Sequence, residues 1–104
     1  MQAALEELKT ALCSQFGERL LRVVLFGSYA QGTAHTESDV DVLVVVSRRE
    51  PRDRHRAVDA AVDVMLLRPE VVLSPLVMTG EELAELRARE RRLVRDIDRE
   101  GIEL

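Results

Sequence analysis

The sequence predicts a small α/β domain, with a mixed sheet of three or more strands flanked by helices. Two features carry that expectation. Apolar residues recur at helical spacing in three separate segments, and the apolar runs between those segments are short and rich in Val and Leu. With 104 residues the chain has room for one core, so a single domain over 1–104 is expected.

Residues 2–16 read as the first helix, with Leu5, Leu8, Leu12 and Phe16 on one side and Gly17 as its stop. Residues 21–27, "LRVVLFG", form the first strand, followed by a short helical turn over 28–33. The second strand covers 39–46, and the polar "SRREPRD" leads into a helix over 54–67. Its inward side is expected to hold Val58, Ala61, Val62 and Met65, and Pro69 ends it. The third strand is placed at 70–78, "EVVLSPLVM"; Pro75 offers no N–H there, so the strand belongs at a sheet edge or carries a bulge. Thr79 suits an N-cap, with Glu82 where a capping box wants it, and the last helix is expected to run to about residue 97. Leu83, Leu86, Val94 and Ile97 face inward on it, and Gly101 terminates it. The short link between the first two strands favours an antiparallel pair, and the middle helix is long enough for a parallel crossover to the third.

Composition narrows the function. The chain is 46% hydrophobic with one Tyr, two Phe and no Trp, so its core must be mostly Leu, Val, Ala and Ile. A net charge of -4 argues against a broad electrostatic grip on nucleic acid. Lys9 is the only lysine, which leaves no evident catalytic-lysine candidate. Cys13 is the only cysteine, so no internal disulfide and no zinc-type cluster is expected. Glu6, Glu7 and Lys9 break any secretory pattern, and no apolar run approaches a membrane span; a cytoplasmic, membrane-free protein is the expectation.

The chemistry concentrates in "LFGSYAQGTAHTESDVDVLVVV", positions 25–46. Alternate residues of a strand share a face, so Asp39, Asp41, Leu43 and Val45 point one way and Val40, Val42, Val44 and Val46 the other. The two carboxylates then lie roughly 6.5–7 Å apart at Cα. Two acids on one face of an apolar strand repel each other and resist desolvation; a cation relieves both, and hard oxygen donors suit Mg²⁺ or Mn²⁺. Gly27 and Ser28 stand where the preceding strand ends. Glycine lets backbone approach a ligand, and the following N–H groups with the Ser28 hydroxyl can hold phosphate oxygens. Carboxylates facing a phosphate cradle suit phosphoryl or nucleotidyl transfer. Either half alone reads equally as a turn or a solvated strand end; the combination is far more specific.

Gly27-Ser28, the "YAQGTA" that follows, and Ser38-Asp39-Val40-Asp41 resemble the signature of the minimal nucleotidyltransferases, of the DNA polymerase β-like nucleotidyltransferase superfamily. The resemblance implies a nucleotidyltransferase fold and NMP transfer from a nucleoside triphosphate, most simply AMP from ATP, to a hydroxyl. It implies that Asp39 and Asp41 are catalytic and bind Mg²⁺, and that Gly27, Ser28 and Ser38 belong to the nucleotide site. Tyr29, beside the phosphate turn, either stacks on the base or packs. Members of this size pair with a small helical HEPN-domain protein as antitoxin and toxin, which makes such a protein the expected partner. A homo-oligomer is a further arrangement the reading allows.

The superfamily mechanism also uses a third carboxylate from a neighbouring strand. Glu70 is the candidate here, with an acid closing the turn after Pro69 as the equal alternative; Val72 stands near where that acid would be sought. Gln31 stands where the family often carries Arg, and Arg48, Arg49 or Arg52 could compensate or form a solvated connection. His35 reads as an exposed loop residue and His55 as lying near a helix start, neither with a visible partner. Asp63 reads as a helix-face residue. On the last helix, Glu85 and Arg89 suit an i,i+4 pair, while Arg87, Arg91 and Arg95 would form one basic stripe. Two further functions compete with protein nucleotidylation. One is a catalytically weak nucleotide- or partner-binding module, such as a regulatory subunit or neutralising antitoxin. The other is transfer to a small molecule.

Overall fold

The computed structural model describes residues 2–27, 39–89 and 92–104, with the backbone alone for Leu93, Asp96 and Glu100. The elements run α1 (Gln2–Phe16), a 3₁₀ turn (Gly17–Arg19), β1 (Leu20–Phe26), β2 (Val40–Val46), α2 (Asp53–Leu67), β3 (Leu73–Thr79), α3 (Gly80–Ala88), α4 (Arg92–Glu100) and β4 (Ile102–Glu103). The sheet order is β3-β2-β1-β4. β1 pairs antiparallel with β2 and with β4, and β2 pairs parallel with β3 across α2. β3 is an edge strand, as Pro75 requires.

Both faces of the sheet are covered, which explains the nearly unbroken apolar run of β2. Val40, Val42, Val44 and Val46 pack with Val23 and Leu25 against α1 and α2. Leu43 and Val45 pack with Val24 and Phe26 against Leu83 of α3 and Val94 and Ile97 of α4. Gly17, at φ +58, ends α1 in the left-handed region, where a side chain would be strained. Thr79 caps α3: its hydroxyl accepts the Glu82 N–H at 3.1 Å. Gly101 closes α4 by donating its N–H to the Ile97 carbonyl at 3.0 Å.

Several expected elements are corrected. The third strand begins at Leu73 rather than 70, because Val71 donates its N–H to the Arg68 carbonyl and closes a turn over Pro69-Glu70. The expected single last helix is two, α3 and α4. Between Leu86 and Leu93 the only apolar residue is Ala88, so no large side chain holds a continuous helix to the core there. Arg87 of α3 instead binds Asp98 of α4 through two hydrogen bonds of 2.8 and 2.7 Å. The basic stripe is therefore not one helix face: Arg87 and Arg95 stand on different helices, and Arg91 lies outside the described residues. On α2, Val58 and Val62 are 42% and 39% exposed, and the buried face is Ala57, Ala60, Ala61 and Val64. Both stripes have helical spacing; the alanines let the helix axis come close to the sheet. β4 was not expected. Ile102 and Glu103 of the closing "GIEL" pair with Leu25 and Val24.

At one end of the sheet lies an ionic cluster the sequence did not announce. Arg19, 8% exposed, donates to Asp53 Oδ1 at 2.7 Å and Oδ2 at 3.1 Å, and Asp53 is 1% exposed. Arg19 also reaches the Arg48 carbonyl at 2.7 Å and Glu50 at 3.1 Å. The Glu50 N–H donates to Asp53 Oδ2 at 2.8 Å, and Arg56 reaches Oδ1 at 3.2 Å. The cluster ties the start of β1 to the loop before α2.

Candidate active site

The opposite end of the sheet holds the acidic pair. β1 and β2 are antiparallel, so the end of β1 and the start of β2 lie together: Phe26 pairs with Asp41, and Gly27 follows it. Asp41 shares the face of Leu43 and Val45, the one covered farther along by α3 and α4; β2 begins at Val40 rather than 39, so Asp39 stands just ahead of the strand. Asp39 is exposed and Asp41 half-buried. Burial raises the pKa of Asp41 above the ordinary carboxylate value, and the neighbouring Asp39 charge raises it further. Such a pair is unfavourable in the absence of a counter-charge. The donor set fits Mg²⁺, which takes one or two carboxylates and completes its shell with phosphate oxygens and water.

Gly27 is built into this arrangement. Its φ is +78, and a Cβ placed there would stand 2.4 Å from Asp41 Oδ2. The absent side chain is the space the Asp41 carboxylate occupies. We expect Gly27→Ala to lose about 1–2 kcal/mol to left-handed strain and to push the carboxylate off its position. Denaturant titration and Mn²⁺ binding followed by electron paramagnetic resonance check the two effects separately. In an Asp41→Ala background the stability cost should shrink to the strain alone.

On the other side of β2, Asp41 pairs with Ser74 of β3, and the Val40 N–H donates to the Val72 carbonyl at 2.8 Å. Paired residues of a parallel ladder share a face, so Ser74, with Val72 and Leu76 on either side, lines the site. The sequence pointed to Val72 only as the place where a third carboxylate would be sought; the β2–β3 register sets Ser74 beside Asp41 and Leu76 beside Leu43. Glu70 is exposed in the turn before β3. Among the described residues no three His, Cys, Asp or Glu side chains form a group able to hold a metal, so Glu70 does not complete one with Asp39 and Asp41.

The remaining candidates are spread elsewhere. Ser28, Tyr29, Gln31, His35 and Ser38, with the expected helical turn over 28–33, lie outside the described residues. Arg48, Arg49 and Arg52 follow β2 at its far end, about 20 Å from Asp41 on strand geometry. There Arg48 pairs with Glu50, and Arg49 with Glu82 at 2.8 Å. Burial opposes ionisation of Glu82, but Arg49 and the Thr79 cap outweigh it and leave the pKa lowered. Arg48 and Arg49 thus serve the loop and the α3 cap rather than the acidic pair. His55 and Asp63 are exposed on α2. Arg89 pairs with Glu85 at 2.7 Å, as its spacing predicts. No helix among the described residues is long and apolar enough to cross a membrane.

Comparison with known proteins agrees with this geometry. Residues 5–101 match the nucleotidyltransferase domain family. Two proteins of Methanocaldococcus jannaschii carry the provisional name protein adenylyltransferase. MJ1305 is 39% identical over 75 residues, 69% of this chain and 51% of its own length. MJ0141 is 32% identical over 73 residues, 70% of this chain and 74% of its own. The chain thus spans about half the length of MJ1305. Among solved structures, a toxin-antitoxin with AMP-PNP superposes with a TM-score of 0.60 at 22% identity, over 94% of this chain and 70% of that one. A complex of a tri-AMPylated Shewanella oneidensis HEPN toxin with an MNT antitoxin gives 0.59 at 15% identity, over 98% and 69%. At these identities the structures speak to the fold, while the family match and MJ0141 speak to descent: the chain belongs to the nucleotidyltransferase domain family.

Proposed function

We propose that this protein transfers AMP from ATP to a hydroxyl of a protein partner, and that the partner is a HEPN-domain toxin which the transfer silences. The observation that carries the reading is the acidic pair: Asp39 just ahead of β2 with its charge acting on Asp41, and Asp41 in β2 seated against Gly27 where β1 ends. The naming of MJ1305 and MJ0141 as protein adenylyltransferases supports the choice of AMP and of a protein acceptor. The toxin-antitoxin structures, one with AMP-PNP and one with an AMPylated HEPN toxin, support the choice of partner.

In this reading Asp39 and Asp41 hold Mg²⁺ or Mn²⁺, which supplies charge neutralisation for the triphosphate and the departing pyrophosphate. Gly27 keeps the carboxylate of Asp41 in place and leaves the backbone at the end of β1 open to phosphate. Ser28 and Ser38 complete the nucleotide site, and Tyr29 sits beside the base. ATP and a toxin partner both place the reaction in the cytoplasm. The test is the intact mass of the host's HEPN-domain protein after incubation with this chain, ATP and Mg²⁺. Gain of one AMP with release of pyrophosphate is expected; an unchanged mass on a folded partner would refute the assignment.

One observation favours a second reading. The β3 positions beside Asp41 are Ser74 and Val72, neither of them an acid. A site short of a third carboxylate would bind nucleotide or partner and turn over slowly. That binding module predicts neutralisation of the partner by Asp39→Asn/Asp41→Asn; loss of neutralisation in this variant excludes it.

A further inference from the structure

We infer that the exposed strip of Val72, just ahead of β3, with Ser74 and Leu76 of β3 is the acceptor wall of the site, and that it selects a hydroxyl carried on an apolar segment of a protein. The inference rests on the transfer reading above and adds the residues that choose the acceptor.

The register sets the strip beside the acids. Asp41 pairs with Ser74 and Leu43 with Leu76, so these four share one face of the sheet, with Asp39 two positions ahead of Asp41. α3 starts at Gly80, beyond the far end of β3, and covers only that half of the strand: Met78 is half-buried in its cluster, while Val72 is 47% and Leu76 36% exposed. Isolated exposed apolar residues are ordinary on a protein surface. What distinguishes these is that they flank Ser74, whose hydroxyl-bearing position pairs with Asp41.

The direction of the reaction places the acceptor on this side. β2 lies between β1 and β3. With the phosphates at Gly27, the triphosphate enters from the β1 side. In-line displacement puts the attacking oxygen opposite the leaving oxygen across the α-phosphorus, and the opposite side is β3. The acceptor oxygen bonds to the α-phosphorus as the bond to the bridging oxygen breaks. Pyrophosphate leaves with the electron pair, and the acceptor's proton passes to water.

The edge of β3 determines how an acceptor is held. Pro75 has no N–H, the Leu73 N–H donates to Met65 Sδ at 3.5 Å, and the Val77 carbonyl accepts from Arg49 at 3.3 Å. These features obstruct strand addition along the edge, so recognition falls to side chains. Two aliphatic groups around a single hydroxyl give a polyhydroxylated small molecule few hydrogen-bond partners. They suit an apolar protein segment that presents one hydroxyl.

The test compares Val72→Thr/Leu76→Thr, which keeps strand-compatible branching and adds polarity, with Val72→Ile/Leu76→Met, which keeps the apolar character. Val72→Thr alone, at the more open position, guards against a folding defect in the pair. Two quantities are read: labelling of size-fractionated host lysate from ATP radiolabelled at the α-phosphorus, and affinity for Mg²⁺-ATP by equilibrium dialysis. The threonine pair should label protein at least about tenfold more slowly, with unchanged ATP affinity and the single variant intermediate. The Ile/Met pair should lose clearly less of the labelling rate than the threonine pair. Unchanged labelling in the threonine pair overturns the inference. So does ATP affinity falling in step with labelling, which would assign the strip to the nucleobase, or wild-type label entering only small molecules. Absence of any label with wild type would defeat the transfer reading itself, and this inference with it.

Discussion

Asp41→Asn should lower transfer by on the order of a thousandfold or more while the protein stays folded and melts at a higher temperature. On the proposed reading the activity loss follows from removing one of two carboxylates that would hold the metal, whose charge stabilisation is worth several kcal/mol in the transition state. The stability gain follows from the raised pKa of Asp41, which burial and the Asp39 charge both produce. A carboxyl whose pKa is higher in the folded state than in the unfolded state favours folding while protonated. That contribution is lost as pH rises through the folded value, so the ionised group opposes folding at neutral pH. Asn removes the ionisation. The difference in melting temperature should therefore be present at pH 7 and fade below the ordinary aspartate pKa. Calorimetry at the two pH values, beside the transfer assay, checks both halves. A variant that lost activity because it unfolded would melt lower at every pH.

Asp53→Ala should be the most damaging substitution outside the site, costing about 3–5 kcal/mol, a large part of the stability of a domain this size. It leaves the Arg19 guanidinium buried with Glu50 as its remaining carboxylate partner. Arg19→Met/Asp53→Leu, which removes both charges and keeps the volume, should recover most of the loss. Exposed pairs such as Glu85–Arg89 should cost under about 1 kcal/mol when broken. The cluster also predicts acid sensitivity. The hydrogen bonds and charge of Arg19, with the Glu50 N–H and Arg56, outweigh burial and lower the Asp53 pKa from 3.8 to about 2. That stabilisation is full above pH 4 and is lost as pH falls from about 4 to about 2. At about 1.4 kcal/mol per pH unit it amounts to roughly 2 kcal/mol. Urea midpoints measured across that window, for wild type and the Met/Leu pair, test it: the acid-induced drop should be smaller in the pair.

The elements that a short repeat can encode were legible in the sequence. The alternation of Asp39 to Val46 gave the two faces of β2, because a strand buried on both sides still alternates which helix layer each residue meets. Pro75 marked the edge strand, and Thr79 with Glu82 marked the cap of α3. Features that depend on partners distant in sequence were not legible. Of the expected stripe on α2, Ala61 is buried and Met65 packs against the core, but Val58 and Val62 are exposed; Ala57, Ala60 and Val64 had helical spacing with Ala61 too, and the sheet meets that face. Arg19 and Asp53 carry no local sign of burial, since their pairing spans 34 positions. The same holds for the site. The candidates Asp39, Asp41 and Gly27 come from one contiguous stretch, whereas Ser74 and Leu76 stand beside β2 only through the parallel register of β3.

The central claim is that the acidic pair moves a nucleotidyl group. The most direct measurement is label transfer in host lysate from ATP carrying the label at the α- or the γ-phosphorus, with Mg²⁺, for wild type and for Asp39→Asn/Asp41→Asn. The account predicts a labelled protein with the α-label, none with the γ-label, and none with the variant. Equal labelling by wild type and the folded variant would contradict it.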